Sequence, residues 1–266
     1  EQLAQSGIMT LHVGLLGVES ATDFATRVAA AFFSETMIDG ALSDIALKSF
    51  SSWQPVVTTK EDRPKSLITA RPREALSDPL NRMMDSIDAF SGEANIRINI
   101  ALDDFTHILP LRDLKHFERV IRNRVPLQNA VTYFFIGPKT PDMDDLFGNS
   151  NRAYCPSMLH IELPEVPIDE GVEFIVSNFR IYTRSCREDV ARRLVEIVRS
   201  HPAYIQKVAF HLFAMGVPEA KETHVAETIA AVVVNENRYL ETIYFGQQPL
   251  PRRLLAALAK EPVGNP

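Results

Sequence analysis

The stretch Ile98-Asn99-Ile100-Ala101-Leu102-Asp103-Asp104-Phe105 decides how this chain is read. It is a β-run that ends in two adjacent carboxylates, at the strand end where open α/β sheets bind their ligands. The alternative is a strand that closes in a solvated acidic turn, and an acidic pair taken alone does not separate the two. Arg97 and Asn99 run against the first reading, because strands buried in parallel sheets are almost wholly apolar.

Working outward, Thr10 to Gly17 is a short apolar run. Ser20 followed by Asp23 then has the form of a capped start for an amphipathic segment through Phe33, so the pair reads as a βα unit. Residues 51 to 79 are rich in Pro, Ser, Thr and charge and lack a sustained period, which predicts an irregular insertion. A helix is expected over Pro79 to Phe90, a strand over Ile96 to Leu102, and a helix over Leu111 to Arg124 with basic residues outward. Ala130 to Gly137 reads as a third strand, Asp142 to Phe147 as a short helix or turn, and Met158 to Leu163 as a fourth strand. Strands alternating with helices predict an α/β fold with a mainly parallel, covered sheet.

From Asp169 the pattern becomes helical, with segments expected at 169–180, 187–200, 202–215 and 219–240. Pro249-Leu250-Pro251 interrupts the chain before a short helix over Arg252 to Lys260. There is no internal repeat.

Composition narrows the function classes. The 266 residues are 45% hydrophobic, enough for a real core. A formal net charge of -6 argues against a surface that coats nucleic acid generally. Two cysteines, Cys155 and Cys186, make no disulfide framework, and a reducing, cytoplasmic setting is expected. No apolar run approaches the roughly 20 residues that span a bilayer, so no membrane partner is expected. No HExxH motif, Cys-His pairing or Gly-x-Ser-x-Gly elbow occurs, so zinc hydrolysis and serine nucleophilic catalysis have no support.

The acidic strand end resembles a Walker B motif, and its context extends the resemblance. The spacing from Asp103-Asp104 through Phe134-Phe135-Ile136-Gly137 to His201-Pro202-Ala203-Tyr204-Ile205-Gln206 is similar to the archaeal-type, origin-recognition-like ATPases of the AAA+ superfamily. The similarity spans most of residues 8 to 215. The resemblance implies a parallel-sheet P-loop NTPase core followed by an α-helical lid, with ATP and Mg²⁺ as cofactors. Asp103 would then hold the metal through water, and Asp104 would orient or deprotonate the attacking water. The family usually has Glu at the second position, so Asp104 is one methylene shorter than expected.

Further site residues come only from that resemblance. Gly137-Pro138-Lys139-Thr140 replaces the usual Gly-Ser sensor, leaving Lys139 or Thr140 to approach the γ-phosphate, whereas a Pro-led surface turn is the plain alternative. Arg152 falls where related ATPases place an arginine finger that reaches a neighbour's nucleotide, which would imply self-association. A solvated loop arginine is the alternative. His201 and Pro202 match the lid junction near adenine, and Pro202 also suits the first turn of a helix.

None of the 11 glycines is followed by lysine, so no Gly-Lys-Ser/Thr phosphate loop is present. The resemblance implies that the chain is a piece of a longer protein, that Glu1 to Gln5 is the tail of the helix following that loop, and that the sheet's first strand is missing. The expected division is a partial ATPase core over 1–165, a helical lid over 166–246, and the start of a winged-helix domain over 247–266 that would bind DNA once complete. The function so implied is ATP hydrolysis by the longer protein, with these residues alone inactive. The competing reading is a non-catalytic regulatory or interaction scaffold.

Overall fold

The computed structural model describes residues 7–37, 39–58, 67–149 and 158–260. The chain divides into two compact units, Glu1–His160 and Ile161–Pro266.

The first unit is built on a three-stranded parallel sheet of β1 (Ile8–Gly14), β4 (Arg97–Asp103) and β5 (Val131–Phe135), with β4 in the middle. Its register places Gly14 beside Asp103 and Leu102 beside Phe135, so the strand ends align at one rim. Side chains alternate across the sheet. Leu11, Val13, Ile98, Ile100 and Leu102 are buried on one face, whereas Thr10, His12 and Phe134 are exposed on the other and Asn99, Ala101 and Asp103 are half-buried there. Arg97 and Asn99 are thereby explained: they belong to the less covered face.

Helices α1 (Ala21–Thr36), α3 (Pro79–Ala94) and α4 (Leu114–Arg124) share one hydrophobic core with the buried face. Phe24 meets Phe117 edge-on at 4.8 Å, and Phe32 meets Phe90 at 5.1 Å, geometries that aromatic rings favour. The hydroxyl of Ser20 accepts from the Asp23 N–H, capping α1 as its sequence predicts. Helix α3 starts on Asp78, with Pro79 in its first turn, and ends at Asn95 in the left-handed conformation.

Two sequence expectations are corrected here. Residues 51–79 hold two strands, β2 (Trp53–Thr58) and β3 (Leu67–Pro72), paired antiparallel after helix α2 (Gly40–Ser49), rather than an irregular insertion. Packing outweighs local composition there: Trp53 is fully buried and its indole N–H donates to Thr26 on α1. Met158 to Leu163 forms no strand. Leu159, Ile161 and Leu163 keep a strand-like alternation but are exposed, and a strand needs a neighbour for its backbone hydrogen bonds that local sequence does not supply.

The chain continues with α5 (Pro141–Gly148). The second unit has its own core, formed by α6 (Ile168–Ile181), α7 (Glu188–Ile197), α8 (Pro202–Ala214) and the first part of α9 (Thr223–Gly246). A short parallel bridge joins β6 (Ser185–Cys186) to β7 (Glu219–Ala220). Gly171 permits the close approach of α6: an added Cβ would lie 3.1 Å from both Val195 methyls and 3.2 Å from Ile205. Helix α10 (Pro249–Lys260) buries none of its side chains.

Candidate functional site

The site gathers at the carboxyl end of the parallel sheet. Asp103 is the last residue of β4, on the less covered face, with a half-buried carboxylate. Its Oδ2 accepts from Nε2 of His12 at 3.0 Å, and its Oδ1 accepts from the backbone N–H of Asp104 at 2.9 Å. The side chain is therefore held from both oxygens. A carboxylate offers about four lone-pair directions, so two remain for other donors or a hydrated cation.

Asp104 adopts the left-handed conformation, φ 56° and ψ 42°, and leads into a 3-10 turn over Phe105–Ile108. The chain must leave the strand sharply here because the Phe105 N–H is taken by the Ile136 carbonyl at 2.9 Å, tying this turn to the end of β5. Aspartate enters the left-handed region more readily than glutamate, since its short polar group is among the few tolerated there.

The loop after β1 completes the rim. Leu15 donates its N–H to the Asp103 carbonyl, and the Gly17 N–H donates to Nδ1 of His107 at 3.3 Å. Arg27 on α1 reaches back to the carbonyls of Gly14 at 3.0 Å, Leu16 at 2.9 Å and Gly17 at 3.3 Å, while pairing with Asp23. Three loop carbonyls held by one planar guanidinium, itself oriented by the Asp23 carboxylate, fix this loop more firmly than a lysine could. Gly17 itself has φ 67°, which the turn requires.

The predicted residues distribute unevenly. Asp103 and Asp104 lie together, and Lys139 and Thr140 follow β5 at the same end of the sheet, Thr140 preceding α5 in extended conformation. His201 and Pro202 begin α8 in the second unit, with the His201 ring 5.2 Å from Tyr204. Arg152 and the segment Glu1 to Gln5 lie outside the described residues. Sequence reasoning missed His12, Arg27 and His107. His12 and Asp103 are 91 residues apart, and only the strand register brings them together. The sole local hint was a histidine interrupting the apolar run of β1.

As a magnesium site the rim fits in part. Asp103 is a hard oxygen donor with free lone pairs, and magnesium is commonly held by one or two carboxylates, its other ligands being water and substrate phosphates. Among the described residues no three His, Cys, Asp or Glu side chains cluster to form a complete cage.

No family model matches this sequence, and no curated protein matches it. Among solved structures, the Walker-type ATPase PABY2304 of Pyrococcus abyssi superposes with a TM-score of 0.62 at 11% sequence identity. The match covers 94% of this chain and 65% of that one, so the chain spans about two thirds of its structural neighbour. At that identity the likeness speaks for the fold, which is that of a P-loop NTPase-like α/β protein. Among the described residues no helix is long and apolar enough to cross a membrane.

Proposed function

We propose that this chain belongs to a longer AAA+-type ATPase and contributes its acidic strand end, Asp103 and Asp104, to binding and hydrolysing Mg²⁺–ATP. The observation carrying this reading is the position of the pair: it ends the middle strand of a parallel sheet whose fold resembles a Walker-type ATPase. Asp103 would hold a hydrated magnesium, the ion that neutralises charge developing on the phosphates. Asp104 would orient the attacking water, and Lys139 or Thr140 would approach the γ-phosphate from the end of β5. In this reading Arg152 serves a neighbouring subunit, His201 and Pro202 lie in a lid spanning 166–246, and residues from 247 open a further, DNA-binding domain.

Two features support a sheet that takes one more strand. The outer edge of β5 pairs with no other strand among the described residues. Met158 to Leu163 keeps strand alternation without a strand to pair with. One strand from upstream, carrying the phosphate loop, would serve both. It would also bring the backbone N–H groups and lysine that the sequence here lacks.

A specific observation favours the second reading, a non-catalytic scaffold: both Asp103 oxygens are already engaged within the protein. Equilibrium binding of Mg²⁺–ATP separates the two. The ATPase reading expects micromolar binding by the full-length parent and little by these 266 residues alone. A parent that carries an upstream Gly-Lys-Ser/Thr and still binds no nucleotide is a scaffold.

A further inference from the structure

Helix α4 turns a basic stripe to solvent. Lys115, Arg119 and Arg122 follow one another at four and three residues and are exposed, on the side of the helix opposite the buried Phe117, Val120 and Ile121. The whole chain carries 34 acidic residues against 28 basic ones, so this stripe runs against its overall charge.

The fold uses some of the cations on α4 and leaves the stripe facing outward. Arg124 turns toward α3 and pairs with Asp85 at 2.6 Å and Asp88 at 3.3 Å. Arg119 donates to Nδ1 of His116 at 2.8 Å, and Nε2 of that ring meets Asp78 at 3.4 Å. A guanidinium has five N–H donors, so Arg119 keeps others for a ligand. Among the described residues Lys115 and Arg122 pair with no carboxylate. Glu118 borders the stripe as the one carboxylate on α4, and Arg112 and Asp113 before the helix offset each other.

The partner follows from the chemistry and spacing of the stripe. Two arginines beside a lysine suit phosphate, which a guanidinium grips through two parallel hydrogen bonds. From Lys115 to Arg122 is roughly 10.5 Å along the helix axis, and three nucleotide steps on one strand of a duplex rise about 10 Å. A lipid surface fits less well. Interfacial helices insert an apolar face, whereas Leu114, Phe117, Val120 and Ile121 all pack into the core of the first unit. The stripe also presents no Phe, Tyr or Trp ring on which an unpaired base could stack.

We propose that the Lys115–Arg119–Arg122 face of α4 holds the phosphate backbone of a nucleic-acid duplex. Contacts to phosphate position a duplex without reading its bases, so binding is independent of sequence. The site is separate from the domain proposed to begin at residue 247, and it stands whether or not the acidic rim hydrolyses ATP.

Fluorescence anisotropy with labelled DNA and RNA duplexes of roughly 20 base pairs tests it on the 266-residue chain. With three phosphates neutralised, affinity is expected to fall roughly 40-fold between about 50 and 200 mM salt. Lys115→Gln and Arg122→Gln each make the logarithmic salt slope shallower by about 1. Adding Arg119→Gln to both abolishes binding at the lower salt with an unchanged melting curve. The pair Arg252→Gln, Arg253→Gln leaves affinity and slope as they were, which separates this face from α10. No binding of either duplex at the lower salt overturns the proposal, as does a salt slope indifferent to Lys115 and Arg122. Loss of binding with the Arg252 and Arg253 changes alone, tighter binding of a single strand of equal length, or capture by phosphatidylserine vesicles in place of duplex also overturns it.

Discussion

Nε2 of His12 lies 3.0 Å from Oδ2 of Asp103, joining the exposed face of β1 to the carboxylate that ends β4. Because the carboxylate can only accept, the imidazole is the donor, and it restricts the side-chain torsion that aims Asp103 at the rim. The His12 side chain is 66% exposed and that of Asp103 39%, so the pair contributes at most about 1 kcal/mol to stability.

His12→Ala is therefore expected to leave the melting temperature of the chain nearly unchanged. If the proposed longer ATPase is correct, the same change raises the magnesium concentration needed for half-maximal nucleotide binding several-fold. His12→Asn, whose amide can also donate, restores most of the loss. Equal magnesium dependence in wild type and His12→Ala would show that the pairing serves no metal site.

The backbone of Asp104 yields a second prediction. At φ 56° a side chain that is not Asn, Asp or Gly costs roughly 1 kcal/mol or more. Asp104→Asn should keep native stability and remove the proposed base. Asp104→Glu should unfold at lower denaturant by roughly 1 kcal/mol, although glutamate is the group common in the resembled family. Denaturant titration of both variants checks this, and a more stable Asp104→Glu would contradict the conformational argument.

Asp78 gives a pH-dependent prediction. Burial pushes its carboxyl upward, but bonds from the Asn81 side chain and backbone and from His116 outweigh that and hold it below the ordinary carboxylate range. A depressed folded value means that its contribution is complete above the unfolded value, near 3.8, and disappears as pH falls through the folded one. Asp78→Asn keeps a cap on α3 and should lose little at pH 7, while its stability falls less steeply than wild type below about pH 4. Asp78→Ala loses the cap, about 1 kcal/mol at neutral pH. Urea unfolding at pH 3 and 7 distinguishes these outcomes.

How far the sequence discloses the fold depends on whether the cause is local. The Ser20 cap, the Pro79 start of α3 and the leucine and valine periodicity of α6 to α9 are local, and the helices lie close to where those signals place them, except that Glu219–Ala220 pairs as β7 and α9 runs from Thr223 to Gly246 rather than over 219–240. The alternation of β4 is local too, but its meaning is not: Arg97 and Asn99 look like faults in a buried strand until the less covered face is seen. Trp53 draws a polar, Pro-bearing segment into a strand pair because α1 offers it a buried partner. Leu159, Ile161 and Leu163 show the reverse, a strand pattern with no strand beside it. At the site, Asp103 and Asp104 are legible as a motif, whereas His12 and Arg27 act across distance in the chain and leave no local mark.

Steady-state ATP hydrolysis by the proposed longer parent, with wild-type sequence and with Asp103→Ala, separates a catalytic acidic rim from a structural one. The expected result is magnesium-dependent turnover in the wild type and a loss of at least about 100-fold in the variant, the scale seen when a transition-state contact is removed. Turnover equal in both would contradict the assignment of Asp103. A parent with an intact phosphate loop and no turnover at all would leave the acidic rim as part of a scaffold.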